Sequence, residues 1–135
     1  ILRFSDPSQG AILIDGTDIR DVTQNSLRDN ICFVPQDPKL FNRTIKENIR
    51  YGRFSATDDE VMAAAKAAQV HGFIQSLSKG YDTYVGEHGD VLSGGQKQRI
   101  MLARALAVNP NILLPPEHLM YLRPVISVWQ CVNLY

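Results

Sequence analysis

Apolar residues fall along this chain in short blocks separated by polar turn chemistry, and the period changes from block to block. Ile1 to Phe4 reads as the end of a helix, stopped by Asp6-Pro7 and the turn residues Ser8 to Gly10. Ala11-Ile12-Leu13-Ile14 has strand length and is closed by Asp15-Gly16, a strong turn signal. Asp18 to Asn30 is polar, with a helical turn around Ser26-Leu27-Arg28. Ile31-Cys32-Phe33-Val34 is apolar throughout, the pattern of a strand buried on both faces of a parallel sheet, and Pro35 ends it. Thr44 caps a short helix reaching Ile49, with Glu47 at the capping-box position. Thr57 and Glu60 repeat that device at the head of an alanine-rich helix that continues to Ala68. His71-Gly72 marks a break before a second short helix at Phe73 to Leu77, and Tyr81 to Gly89 reads as a glycine-punctuated loop. From Gly95 to Ala107 the apolar residues Ile100, Ala103 and Leu106 or Ala107 share one helical face; Asn109-Pro110 stops that helix and Asn111 to Leu114 opens another buried strand.

Composition narrows what such a chain does. Its 135 residues suit one domain with a modest core. Fourteen basic and fourteen acidic residues cancel, so no net field recruits nucleic acid or an anionic membrane. Cys32 and Cys131 lie far apart without metal-ligand spacing, and reduced thiols are expected. His71 and His118 have no ligand-like partners at useful spacing. No uncharged run reaches the roughly 18 to 20 residues that cross a bilayer, and no signal sequence opens the chain. A first residue of Ile rather than Met leads to the expectation of a piece of something longer.

The chemistry concentrates in Leu92-Ser93-Gly94-Gly95-Gln96, which opens the helix ending at Ala107. A helix N-terminus carries partial positive charge on exposed N–H groups, and two glycines let that backbone approach an anion without Cβ interference. Ser93 suits the N-cap and has a hydroxyl to donate to a phosphate oxygen. Gln36 leaves the C-terminal end of a buried strand, where ligands sit in open α/β sheets; its neutral amide suits a Mg²⁺ ion or an oriented water.

Leu92 to Arg99, with Ala103-Arg104-Ala105-Leu106 behind it, resembles the signature motif of the ATP-binding cassette (ABC) ATPases. Val34-Pro35-Gln36-Asp37 with Leu40-Phe41 resembles the family's Q-loop, and Asn48-Ile49-Arg50-Tyr51-Gly52 resembles the segment that follows it in exporters. Tyr81-Asp82-Thr83 and Val85-Gly86-Glu87-His88-Gly89 resemble the exporter loop before the signature, with His88 where the pattern usually has arginine. The resemblance implies an α/β fold: a partial P-loop NTPase-like ABC ATPase domain with a helical signature subdomain over residues 1–114, from Q-loop through signature to the start of the Walker B strand. Residues 115–135 form a divergent tail. It further implies nucleotide-binding roles for Gln36, Leu92, Ser93, Gly94, Gly95 and Gln96, contact of Gln36 with Mg²⁺, and ATP and Mg²⁺ as cofactors of the complete domain. The implied partners are a second nucleotide-binding domain, docked head to tail, and transmembrane domains that meet the helical subdomain; the implied location is the cytoplasmic face of a membrane. Nucleic acid is not among the expected partners.

The pattern also breaks. No G-x-x-x-x-G-K-[ST] occurs in these residues, so the phosphate loop that phosphoryl transfer needs is not in the chain. After Ile112-Leu113-Leu114 come Pro115, Pro116 and Glu117: Glu117 matches the family's catalytic base, while Pro116 replaces the aspartate linked to magnesium. His118 to Tyr135 matches nothing in the family, and altered splicing, a shifted frame or a pseudogene junction is the expected origin. The expectation is a fragment of an ABC exporter's ATPase domain, inactive by itself. Its alternatives are a soluble DNA-associated ABC ATPase and a non-catalytic interaction fragment.

Overall fold

The computed structural model describes residues 3–37, 39–86 and 92–114. The first pairing is a tight antiparallel hairpin. Strand β1 (Leu13–Ile14) faces β2 (Thr17–Asp18), with Leu13 opposite Asp18 and Ile14 opposite Thr17. Its corner is Asp15-Gly16, at φ +50° and +80°, the left-handed pair that a two-residue hairpin turn requires. The strand covers the last two residues of the apolar run from Ala11; before it Ile12 forms an isolated bridge, and its carbonyl accepts the Ile19 N–H at 3.0 Å. A 3₁₀ turn (Ile19–Asp21) leads to α1 (Gln24–Asp29), whose N-cap Thr23 accepts the Ser26 N–H. Arg3 does not end a helix: it sits at φ +52° and its guanidinium donates to the Ile19 and Val22 carbonyls at 3.1 and 3.0 Å.

The second sheet is parallel. β3 (Ile31–Phe33) pairs with β4 (Ile112–Leu114), Ile31 opposite Ile112 and Phe33 opposite Leu114. Main-chain bonds extend the register on both sides, from Ile112 N–H to Asn30 O at 2.9 Å and from Val34 N–H to Leu114 O at 3.0 Å. Here the expected burial on both faces fails at one residue. Ile31 is buried, but Phe33 is 57% exposed, because β4 is the one strand neighbour of β3 among the described residues.

Between the two strands of that sheet lies a helical unit: α2 (Ile45–Arg50), α3 (Asp58–Ala67), α4 (His71–Ser76) and α5 (Gly94–Ala107). Its core joins Ile45 and Ile49 of α2, Val61 and Ala65 of α3, Ile74 of α4 and Ile100, Leu102 and Ala103 of α5, with Val34 and Leu113 reaching in from the sheet. A smaller cluster of Ile19, Leu27, Ile31 and Ile112 seals the hairpin side. The break expected at His71-Gly72 is absent: both residues are in the first turn of α4. Val70 and Ile74 are both buried and joined by the Ile74 N–H to Val70 O bond of 3.0 Å, so packing overrides the low helix propensity of Gly72. The tail from 115 to 135, and with it the proposed boundary at 114, lies outside the described residues.

Candidate functional site

Helix α5 begins with a complete capping box. The Ser93 hydroxyl oxygen accepts the Gln96 N–H at 3.3 Å, and the Gln96 side-chain oxygen accepts the Ser93 N–H at 2.8 Å. This cap uses an acceptor lone pair of Ser93 and leaves its proton for a ligand. The N–H groups of Gly94 and Gly95 occupy the first two helical positions and have no intrahelical acceptor. Ser93, Gly94 and Gly95 are exposed.

The chain's own packing does not explain the two glycines. A Cβ built on either meets nothing within 4 Å, and neither takes a positive φ. Glycine is also a poorer helix former than alanine. Open backbone with free N–H groups at a positive helix end fits a phosphate, which needs donors and close approach together. Leu92 is buried and anchors this turn in the core, so its side chain faces away from any ligand. Gln96 is half-buried with its oxygen held by the cap; its amide nitrogen is the part left for a ligand.

Gln36 is exposed, two residues beyond Val34 at the C-terminal end of β3. Its neutral oxygen suits a hard cation such as Mg²⁺, alongside oxygens from other sources. It lies on the sheet and Ser93 to Gln96 lie on the helical unit, and no bond joins the two groups among the described residues. Glu117, Glu87 and His88 lie outside those residues.

Two further residues join α2 to α5. Asn48 is fully buried, yet completely bonded. Its oxygen accepts the Phe41 N–H at 2.8 Å and an Arg104 N–H at 2.7 Å, while its nitrogen donates to the Phe41 and Thr44 carbonyls at 3.0 Å. Arg104 of α5 also donates from Nε to the Asn48 carbonyl at 2.7 Å and lies over the rings of Phe41 and Tyr51, 4.8 and 5.6 Å from their centroids. Burial pushes the guanidinium pKa down from its ordinary range. The signal was present in the sequence: Asn48 interrupts the apolar stripe of Ile45 and Ile49, and Arg104 stands between two alanines of a buried face.

Phe41, Tyr51 and Phe54 form an exposed aromatic ladder. Phe41 and Tyr51 are 4.3 Å apart between centroids, Tyr51 and Phe54 5.3 Å, and they are 40%, 50% and 76% exposed. The three rings lie close together on one surface.

Comparison with known proteins agrees with the motifs. The family profile described as ABC transporter matches residues 1–117. "ABC transporter B family member 3" of Dictyostelium discoideum is 56% identical over 115 residues, covering 85% of this chain and 8% of that protein. "ATP-binding cassette sub-family B member 6" of Rattus norvegicus is 55% identical over 117 residues, 87% of this chain and 14% of that one. "Beta-(1-->2)glucan export ATP-binding/permease protein NdvA" of Brucella abortus is 54% identical over 115 residues, 85% and 19%. A solved structure, of a bacterial Atm1-family ABC exporter with ATP bound, matches with TM-score 0.75 and 52% identity over 94% of this chain and 23% of that chain. The chain therefore spans under a quarter of the length of each of these relatives.

Proposed function

The chain belongs to the ABC transporter family, and from that premise we propose that it supplies the signature half of an exporter's nucleotide site. The observation that carries this is the head of α5, where Ser93, Gly94 and Gly95 present a hydroxyl and free N–H groups that the fold itself does not use. ATP is the substrate these groups suit: its γ-phosphate is the anion, and the Walker A loop of a second, opposed domain holds the rest of the nucleotide. Closure of the two domains around ATP then provides binding energy present in the closed state alone, which is what shifts a conformational equilibrium. Mg²⁺ carried with ATP supplies charge neutralisation on the phosphate oxygens, and Gln36 offers it one neutral oxygen. Ser93 and the glycines bind and orient the phosphate, and Leu92 and the Gln96 oxygen hold their geometry. We infer that the transmembrane domains dock on the exposed ladder of Phe41, Tyr51 and Phe54, whose contiguous rings support that reading, and that the unit works at the cytoplasmic face of the membrane.

The isolated chain has no phosphate loop in its sequence, so it is expected to hydrolyse no ATP by itself. The test is Mg²⁺-dependent phosphate release by the isolated chain and by an exporter in which the domain carrying it faces a second domain with an intact phosphate loop and magnesium aspartate, each against Gly95→Asp. The expected result is no release by the chain, release by the exporter, and a loss of about tenfold or more in the Gly95→Asp exporter, whose carboxylate repels the phosphate. Steady release by the isolated chain above its control, or an exporter indifferent to Gly95→Asp, overturns the proposal.

A further inference from the structure

We propose that Arg104 is a positioning residue that joins the glycine-headed helix to the aromatic face and to the segment leaving Gln36. The inference rests on the proposed function, since that function gives the two ends of the link their meaning.

Three features meet at the joint of α2 and α5, and each favours one fixed geometry. The first is the fork of Arg104, which donates two bonds to Asn48, one to its main-chain carbonyl and one to its side-chain oxygen, both at 2.7 Å. A third, longer bond of 3.4 Å reaches the Lys39 carbonyl. A planar guanidinium makes this paired grip and a lysine ammonium does not. The second is Asn48, which spends every polar atom on that grip and on the main chain of Phe41 and Thr44. The third is Gly52, where a Cβ would sit 2.1 Å from the Arg104 carbonyl oxygen, so the end of α2 touches α5 with no room for a side chain.

An aliphatic residue would fill the place of Arg104 at lower desolvation cost, because among the described residues no carboxylate pairs with it. What the arginine adds is direction. It faces two of the three rings of the exposed ladder, Phe41 and Tyr51, and binds the backbone three residues after Gln36, from a helix whose first turn is the proposed phosphate grip. Movement of the α5 head is thereby carried to Phe41 and Tyr51 as movement of one body.

The test uses the same exporter, reconstituted in phosphatidylcholine vesicles, with Arg104→Met and Arg104→Lys. Two quantities are read: KM for MgATP, and the trypsin protection of the membrane-spanning part that MgATP with vanadate induces. Arg104→Met is expected to leave KM within about twofold and to cut the induced protection by about fivefold or more, with Arg104→Lys intermediate. Unchanged protection in Arg104→Met overturns the proposal, and so does a KM that rises in step with the loss, which would place Arg104 in the nucleotide site. If Arg104→Met does not assemble, Arg104→Lys decides by the same two readings. A wild-type exporter with neither turnover nor protection removes the proposed function and this inference with it; a working wild type with indifferent variants removes the inference alone.

Discussion

Asn48 is the residue on which local structure and function converge. It is 0% exposed and bonded at both side-chain polar atoms, so the segment after Gln36 has its main chain satisfied by one buried amide. Replacing it by leucine strands the Phe41 N–H and carbonyl and takes the side-chain oxygen from the Arg104 Nη2 donor, while the Arg104 Nε bond to the main-chain carbonyl of residue 48 remains. Asn48→Leu is expected to cost the chain about 3 kcal/mol, read as a lowered urea midpoint at constant slope. A loss below about 1 kcal/mol would mean that water replaces these bonds freely. Gly52 shows the complementary case, a glycine that the fold itself requires. Gly94 and Gly95, by contrast, have open space where a Cβ would be, so packing does not require them.

At the scale of elements, three helices share one start device and differ in its charge. Thr44 with Glu47, Thr57 with Glu60 and Ser93 with Gln96 each form a capping box. The Thr44 N–H holds the Glu47 carboxyl below its ordinary value of 4.5, and the Thr57 N–H, with Arg53 next, does the same for Glu60. A folded pKa that is depressed gives stability present above the unfolded value and lost as pH falls through the folded one. Acidification from about pH 6 to about pH 3 is therefore expected to release the Thr44 and Thr57 amides below the carboxylate range, while the Ser93 amide, capped by a neutral glutamine, keeps its protection. Amide exchange followed by NMR checks this, and loss of all three caps together would point to global acid unfolding instead. These caps were legible from spacing alone, because a Thr or Ser bonds a residue three positions away whatever surrounds it. The start of α4 was not legible: His71 and Gly72 read as a break, and the burial of Val70 and Ile74 made them helix. The ladder of β1 takes in only the last two residues of the run from Ala11.

Over the whole molecule, the apolar core is unevenly divided. The large cluster binds α2, α3, α4 and α5, whereas the hairpin side is held by Ile19, Leu27, Ile31 and Ile112 and a two-residue ladder. Local opening follows local burial, so amides in the middle of α5 are expected to exchange slowest and those of β1 and β2 fastest in native-state hydrogen exchange. Equal protection in both regions would show that the chain opens only as one unit. The same division places the candidate site: Gln36 leaves the sheet and Ser93 heads the helical unit, with Val34 and Leu113 in the shared core and the half-buried Arg104 bonded to the Lys39 carbonyl.

The sequence by itself determined the family resemblance, the capped helix starts, the tight turn at Asp15-Gly16 and the two glycines at the head of α5. Each depends on residue types at fixed short spacing, which is where backbone geometry and hydrogen bonding act. Only the tertiary structure decided that β3 pairs in parallel with β4, that Phe33 is left exposed, that Leu92 serves the core, and that Asn48 and Arg104 meet across 56 positions of chain. Those outcomes depend on which distant segments share a core, and no local pattern records how a buried amide and a forked cation will find each other once apolar burial has brought their helices together.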